Sequence, residues 1–370
     1  MALAGDERLP PFHLSLNVPS RPAVQESSFR HANPPSSTKA IARNKRLPPF
    51  HLSLNVPSRP AAQEPSSRHA NHPVAAPEPA STPLARSTQF RLADFDRLAV
   101  LGRGNGGTVY KVRHRETCAL YALKVLHEDA GAEADILGRL ASPFVVRCHA
   151  VLPASCSAGD VALLLELVDG GSLDAVSRRR GAFAEAALAE VAVQALSGLA
   201  YLHARCVVHL DVKPSNLLVT AAGEIKVADF GIARVLSRSG DHCTSYVGTA
   251  AYMSPERFDP EAHGGHYDPC AADVWSLGVT VLELFMGRYP LLPAGQQPNW
   301  AALMCAICFG EPPALPDGAA SPELRSFISA CLHKDYCRRA SVAELLAHPF
   351  VAGRDVLASR CALQQLVAEA

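Results

Sequence analysis

Between Leu101 and Val109 the chain reads LGRGNGGTV, and the residues after the glycines decide what it can fold into. A glycine-rich phosphate loop that opens a helix belongs to a doubly wound parallel sheet, and one that ends in Gly-Lys-Ser/Thr belongs to a P-loop. Neither condition holds here. The following stretch, TVYKVRHR, alternates apolar and polar residues with the period of a strand. Leu101, Gly102, Arg103, Gly104, Asn105, Gly106, Gly107 and Val109 therefore read as a β-hairpin and its turn. Its bare backbone could lie close over phosphates.

The rest of the chain divides by pattern. FDRLAVLGRG, GTVYKVRHR, CALYALKVL and ALLLELV are short β-type runs separated by turns or charges. After residue 170 the apolar residues fall at helical spacing, as in FAEAALAEVAVQALSGLAYLHAR, and ADVWSLGVTVLELFMG is apolar nearly all round, the mark of a buried helix. A β-rich segment followed by a helix-rich one predicts an α+β protein with two lobes, 95–168 and 169–352, and a short extension at 353–370. Residues 1–90 hold 15 of the 29 Pro, ten Lys or Arg and five Asp or Glu. Such a segment buries too little apolar surface to offset its ordering entropy, so a disordered basic tail is expected. Within it, Arg8 to Ala23 recurs unchanged from Arg46 to Ala61. Basic residues followed by alternating apolar ones, as in Lys45, Arg46, Leu52 and Leu54, suit a linear docking peptide. A duplication in a tolerant tail reads equally well.

The residues that carry chemistry follow in a fixed order. Fifteen positions after Val109 comes Lys124, in the strand YALK, then Asp211 and Asn216 in VVHLDVKPSNLL, then Asp229 in DFG. Ser254-Pro-Glu256 and the Asp273-Val-Trp-Ser-Leu-Gly278 helix complete the protein-kinase spacing. Moving a γ-phosphoryl group needs positioning and charge neutralisation more than covalent help. Lys124 suits the α- and β-phosphates of ATP, and Asn216 and Asp229 offer hard oxygens to Mg²⁺. Asp211 suits the proton of the acceptor hydroxyl, and Lys213 reaches the γ-phosphate. Glu133 is the expected partner of Lys124, because Ile136, Leu137 and Leu140 follow it at helical spacing; Glu128 is the alternative.

GRGNGGTVYKVRHR, VVHLDVKPSNLLV, VADFGIARVL, SYVGTAAYMSPERFDP and DVWSLGVTVLELFMGRYP together resemble a MAP kinase kinase, most of all the plant group with little beyond the catalytic domain. The resemblance covers roughly residues 95–352. It implies the two-lobed protein kinase fold and a dual-specificity kinase that phosphorylates Thr and Tyr in a MAP kinase's activation loop. It also implies activation by an upstream MAP kinase kinase kinase at two Ser/Thr with five residues between them; Ser239 and Ser245 have that spacing, with Thr244 a near competitor. Thr249 falls where such kinases tie the substrate-facing loop to the catalytic Asp, and Glu256 falls opposite Arg339 as a scaffold pair. Leu165 occupies the gatekeeper position, with Glu166 to Val168 as the nucleotide-facing hinge. The tail repeat stands where this family keeps its MAP-kinase docking peptide.

Two departures accompany the resemblance. Only eight residues separate Lys124 from Glu133, so the helix carrying Glu133 is expected to lack its first turns. Leu210 stands where these kinases carry an Arg that gathers a phosphorylated activation loop. Leu cannot bind phosphate, so loop ordering must use other cations or proceed without phosphate. The rival reading is a pseudokinase scaffold that tethers a MAP kinase through the tail without phosphoryl transfer. Against it, Lys124, Asp211, Asn216 and Asp229 are all present.

Composition removes other classes. With 35 basic and 35 acidic residues the net charge is zero, which points to no nucleic-acid or membrane partner. The eleven Cys are scattered, and Cys305 and Cys308 lie in an apolar helical stretch, where buried thiols are expected rather than a metal or redox site. His263 and His266 lack further ligands in their Gly loop. No signal peptide is apparent, so a reducing cytosol is expected, with nuclear entry left open, and with nothing suggesting an obligate dimer a monomer is expected.

Overall fold

The computed structural model describes residues 90–369, apart from 105–106, 127–130, 154–160, 237–247, 266, 297, 314 and 316–317. The tail with its repeats, Asn105, Gly106, Glu128, Ser239, Thr244, Ser245 and His266 therefore lie outside the described residues.

Five antiparallel strands form the first lobe: β1 (Phe95–Gly104), β2 (Gly107–His114), β3 (Leu120–Leu126), β4 (Cys148–Pro153) and β5 (Val161–Glu166). Their order in the sheet is β1-β2-β3-β5-β4. The glycines do form a hairpin, with Gly102 opposite Val109 and Gly104 opposite Gly107. Gly107 is required there. Its φ is +121°, and a Cβ would strike the Val125 carbonyl. One sheet face packs Phe95, Val112, Leu123, Leu152, Ala162 and Leu164 into a core of its own. The other face joins Ala122, Leu163 and Leu165 to Ile136 and Leu137 of α1 (Gly131–Leu137). β5 is covered on both faces, which is why VALLL is a continuous apolar run.

The second lobe holds α2 (Leu173–Arg180), α3 (Glu185–His203), α4 (Pro255–Phe258), α5 (Pro269–Met286), α6 (Trp300–Met304), α7 (Pro322–Cys331), α8 (Val342–Leu346), α9 (Pro349–Ala352) and α10 (Val356–Ala368). Two small ladders carry the functional loops: β6 (Val207–Val208) with β9 (Arg234–Val235), and β7 (Leu217–Val219) with β8 (Ile225–Val227). α5 starts where Asp268 caps Cys270 N–H and stops at Gly287, whose φ is +64°. Between them Val274, Trp275, Leu277, Val279, Val281, Leu282 and Leu284 are all buried. α3 and α5 are long and apolar enough to cross a membrane, yet most of each is buried inside this lobe, so here they form its core. The extension is helical as well. α10 packs along α3, and Arg354 reaches the buried Glu190 at 3.1 Å.

The reading of Cys305 and Cys308 as buried thiols needs correction. Leu303 and Ile307 take the inward side of that helix, which leaves Cys305 exposed and Cys308 half-buried. Among the described residues no group of three or more His, Cys, Asp or Glu could hold a metal ion.

Candidate active site

Lys124 sits mid-β3, paired in register with Leu163 of β5, so the sheet fixes where its ammonium points. Nζ donates to Glu133 Oε1 at 2.6 Å and Oε2 at 2.9 Å, and to Asp229 Oδ1 at 2.7 Å. The shortened helix α1 thus still presents Glu133 to the strand. Burial alone would lower the Lys124 pKa, but the two carboxylates outweigh it and hold the ammonium charged. Burial raises Glu133, opposed by the same ammonium. Desolvation by the atoms around it would raise Asp229, but the Lys124 ammonium outweighs this and holds the carboxyl below the usual range, although the side chain is 48% exposed.

The catalytic loop runs from β6 to β7, and every oxygen of Asp211 is occupied. Oδ1 accepts from Thr249 Oγ1 at 2.8 Å and from its N–H at 3.2 Å. Oδ2 accepts from Asn216 Nδ2 at 2.9 Å and pairs with Lys213 Nζ at 2.8 Å. Lys213 also donates to Thr249 Oγ1 at 2.6 Å, so one hydroxyl links base and lysine. Asn216 Nδ2 donates to the Asp211 carbonyl as well, 2.9 Å away. With both amide protons committed to Asp211, Asn216 Oδ1, met by Ser215 Oγ at 3.5 Å, is an oxygen a metal could use, and the Asp229 carboxylate offers a second. That pair fits a hard cation such as Mg²⁺. Asp229 has a φ of +65°, a strained value of the kind that clusters at functional sites.

The loop's backbone is held from below. Asp273 of α5, fully buried, accepts from His209 N–H at 2.9 Å and from Leu210 N–H at 2.7 Å. Burial would depress His203, but its hydrogen bond to Asp273 reverses that and pushes it up to about 10, while Asp273 is held ionised. Arg257 Nη1 donates to the Leu210 carbonyl at 2.7 Å. The roles of Asp273, His203 and Arg257 were not read from the sequence. An acid inside an otherwise apolar helix, as in ADVWSLG, is the signal that could have found the first, since a buried charge needs partners.

Leu101, Gly102, Arg103 and Gly104 end β1, and Gly107 and Val109 open β2. A Cβ at Gly102 or Gly104 would meet nothing within 4 Å. Glu166 ends β5, and its carboxylate is engaged within the protein: Oε1 accepts from Arg147 N–H at 2.7 Å and Oε2 lies 3.3 Å from Lys226 Nζ. Val168 follows it, buried. Glu256 and Arg339 form a two-pronged pair, 2.6 and 2.9 Å, sealed from solvent.

A family model for the protein kinase domain matches residues 95–351. Mitogen-activated protein kinase kinase 9 of Arabidopsis thaliana is 50% identical over 279 residues, covering 73% of this chain and 88% of the relative. Mitogen-activated protein kinase kinases 7 and 10 of the same plant are 49% and 47% identical, over 70% and 71% of this chain and 85% and 86% of theirs. The chain belongs to the MAP kinase kinase family of protein kinases.

For a MAP kinase kinase the side chains assembled here have a direct chemical sense. Lys124 supplies a fixed cation between two acids and Asp211 a carboxylate held by three neighbours, and Asn216 with Asp229 would supply oxygens to a metal. Bound Mg²⁺ would neutralise phosphate charge.

Proposed function

We propose that this chain is an active dual-specificity kinase that transfers the γ-phosphoryl group of ATP to Thr and Tyr in the activation loop of a MAP kinase. The observation that carries the reading is the network around Asp211. Thr249, Asn216 and Lys213 hold the carboxylate, while Lys124 is paired with Glu133 at the same time. Both halves of the machinery are in working arrangement together.

In this reading the acceptor hydroxyl lies against Asp211, which orients it and takes its proton as the new O–P bond forms. The bond between the β,γ-bridging oxygen and phosphorus breaks, and ADP leaves with that electron pair. Lys213 faces the charge on the moving phosphoryl group, and Lys124 holds the α- and β-phosphates. The glycine hairpin covers them. Upstream phosphorylation at Ser239 and Ser245, docking through segments 8–23 and 46–61, and a cytoplasmic location belong to the same proposal and rest on family likeness and sequence pattern.

The test is to incubate the full chain, carrying acidic residues at 239 and 245, with Mg·ATP and a panel of MAP kinases, and to map phosphosites by mass spectrometry. The proposal expects one or more MAP kinases to gain phosphate on both activation-loop Thr and Tyr. Phosphate on Ser/Thr alone would remove dual specificity. The scaffold reading draws on one observation, Leu210 in place of Arg, and expects retention of a MAP kinase with no phosphate gained.

A further inference from the structure

Residue 210 is where the two ends of the activation segment meet. The outgoing end pairs β9 with β6, Val207 opposite Val235 and Val208 opposite Arg234, and closes with Leu236 N–H on the Cys206 carbonyl at 2.7 Å. The returning end places Gly248 against the Leu210 carbonyl and Ile232, and Thr249 on Asp211. Between them the Leu210 side chain is 2% exposed. It packs with Val208 and Leu236, joined by Cys206, Ile232 and Cys270, in a cluster separate from the main core. Its φ is +64°, a left-handed value that Leu adopts only under constraint, and the constraint is visible: Asp273 holds its N–H and Arg257 its carbonyl.

We propose that Leu210 is a positioning residue: an apolar clamp between the catalytic loop and the activation segment that sets Asp211 without any phosphate. A guanidinium at this place would be a buried cation among apolar side chains and would need an anion brought to it. Leu needs none. It gains from burial itself, which is independent of phosphate and little screened by salt. The segment is thus anchored at both ends by apolar and backbone contacts. The clamp deepens the proposed kinase reading and rests on it, but it does not depend on which protein is the substrate.

The experiment uses the full chain, treated with phosphatase and checked by mass spectrometry, with Mg·ATP and myelin basic protein as a generic acceptor. Dephosphorylated wild type should retain at least a third of the kcat it shows after phosphorylation. L210A should lose tenfold or more in kcat with the KM for ATP within twofold, and L210M, which refills the volume, should recover most of it. L236A trims the clamp from the other side and should reproduce the L210A loss, which keeps the test alive if L210A does not fold. L210R should be inactive when dephosphorylated and regain activity with acidic residues at 239 and 245. A wild type active only when phosphorylated, an L210R as active as wild type without phosphate, or an L236A with unchanged kcat overturns the clamp while leaving the kinase reading intact. A wild type inert in both states would instead sink the kinase reading itself.

Discussion

Replacing Glu133 by Gln asks whether a helix that starts late still supplies the partner of Lys124. The ammonium bonds both oxygens of Glu133, at 2.6 and 2.9 Å, and the two side chains are only 7% and 5% exposed. Gln keeps the shape and one acceptor but removes the charge and turns the other oxygen into a donor. A hydrogen bond to a charged group contributes about 1.5–3 kcal/mol. Losing one such contact from the transition state corresponds to a ~10- to 150-fold fall in kcat/KM for ATP. Lys124 is not orphaned, because Asp229 remains at 2.7 Å. That limits the loss, yet it also draws Asp229 away from any metal. Steady-state kinetics in ATP, with K124M as the floor, measure the effect. The alternative acid should be silent: E128Q should change kcat/KM less than twofold. An E133Q enzyme within twofold of wild type would refute the reasoning, and a large effect of E128Q would reassign the pair.

R339A leaves Glu256 buried and unpaired in a site with no solvent exposure at all. Breaking such a pair costs about 3–5 kcal/mol, which for a domain of this size lowers Tm by roughly 6–20 °C; a shift under 2 °C by calorimetry would mean the pair is not sealed as described. Glu283 accepts from Tyr252 Oη at 2.6 Å, and burial pushes its carboxyl from 4.5 up to about 7. The fold therefore favours the protonated form, a contribution fully present below pH 4.5 and lost as pH rises through 7. E283Q stays neutral throughout, so its Tm should gain on wild type between pH 6 and pH 8.5; a constant difference would contradict the shift.

Local pattern carried the reading a long way because Lys124 and Glu133 sit on regular elements, while Asp211, Asn216 and Asp229 sit in short loops whose motifs are contiguous in the sequence. The alternation after the glycines gave the hairpin's second strand, the run YALK placed Lys124 on the next, and the apolar run through Trp275 marked the core helix α5. Glu133 was legible through its helical neighbours, and its place early in α1 through the short spacing from Lys124. What stayed hidden is what only tertiary packing makes. Leu210 announced itself as a departure from a pattern, but nothing nearby in the sequence says that Leu236, Ile232 and Cys270 close around it. Likewise Glu166 was read for its place at the hinge, whereas its carboxylate answers to Lys226, sixty residues away. Cys305 went wrong for a related reason: an apolar run looks the same whether a helix is buried all round or on one side.

In the proposed reaction Asp211, held by Thr249, Asn216 and Lys213, serves a phosphoryl transfer from ATP. The most direct measurement is the rate of γ-phosphoryl transfer by wild type and D211N side by side, with ATP affinity measured on both. Wild type should transfer and D211N should fall by a factor of about 10²–10⁴, the range for losing a general base, while binding ATP within twofold of wild type. Equal rates in the two proteins, or no transfer by wild type with acidic residues at 239 and 245, would contradict the account.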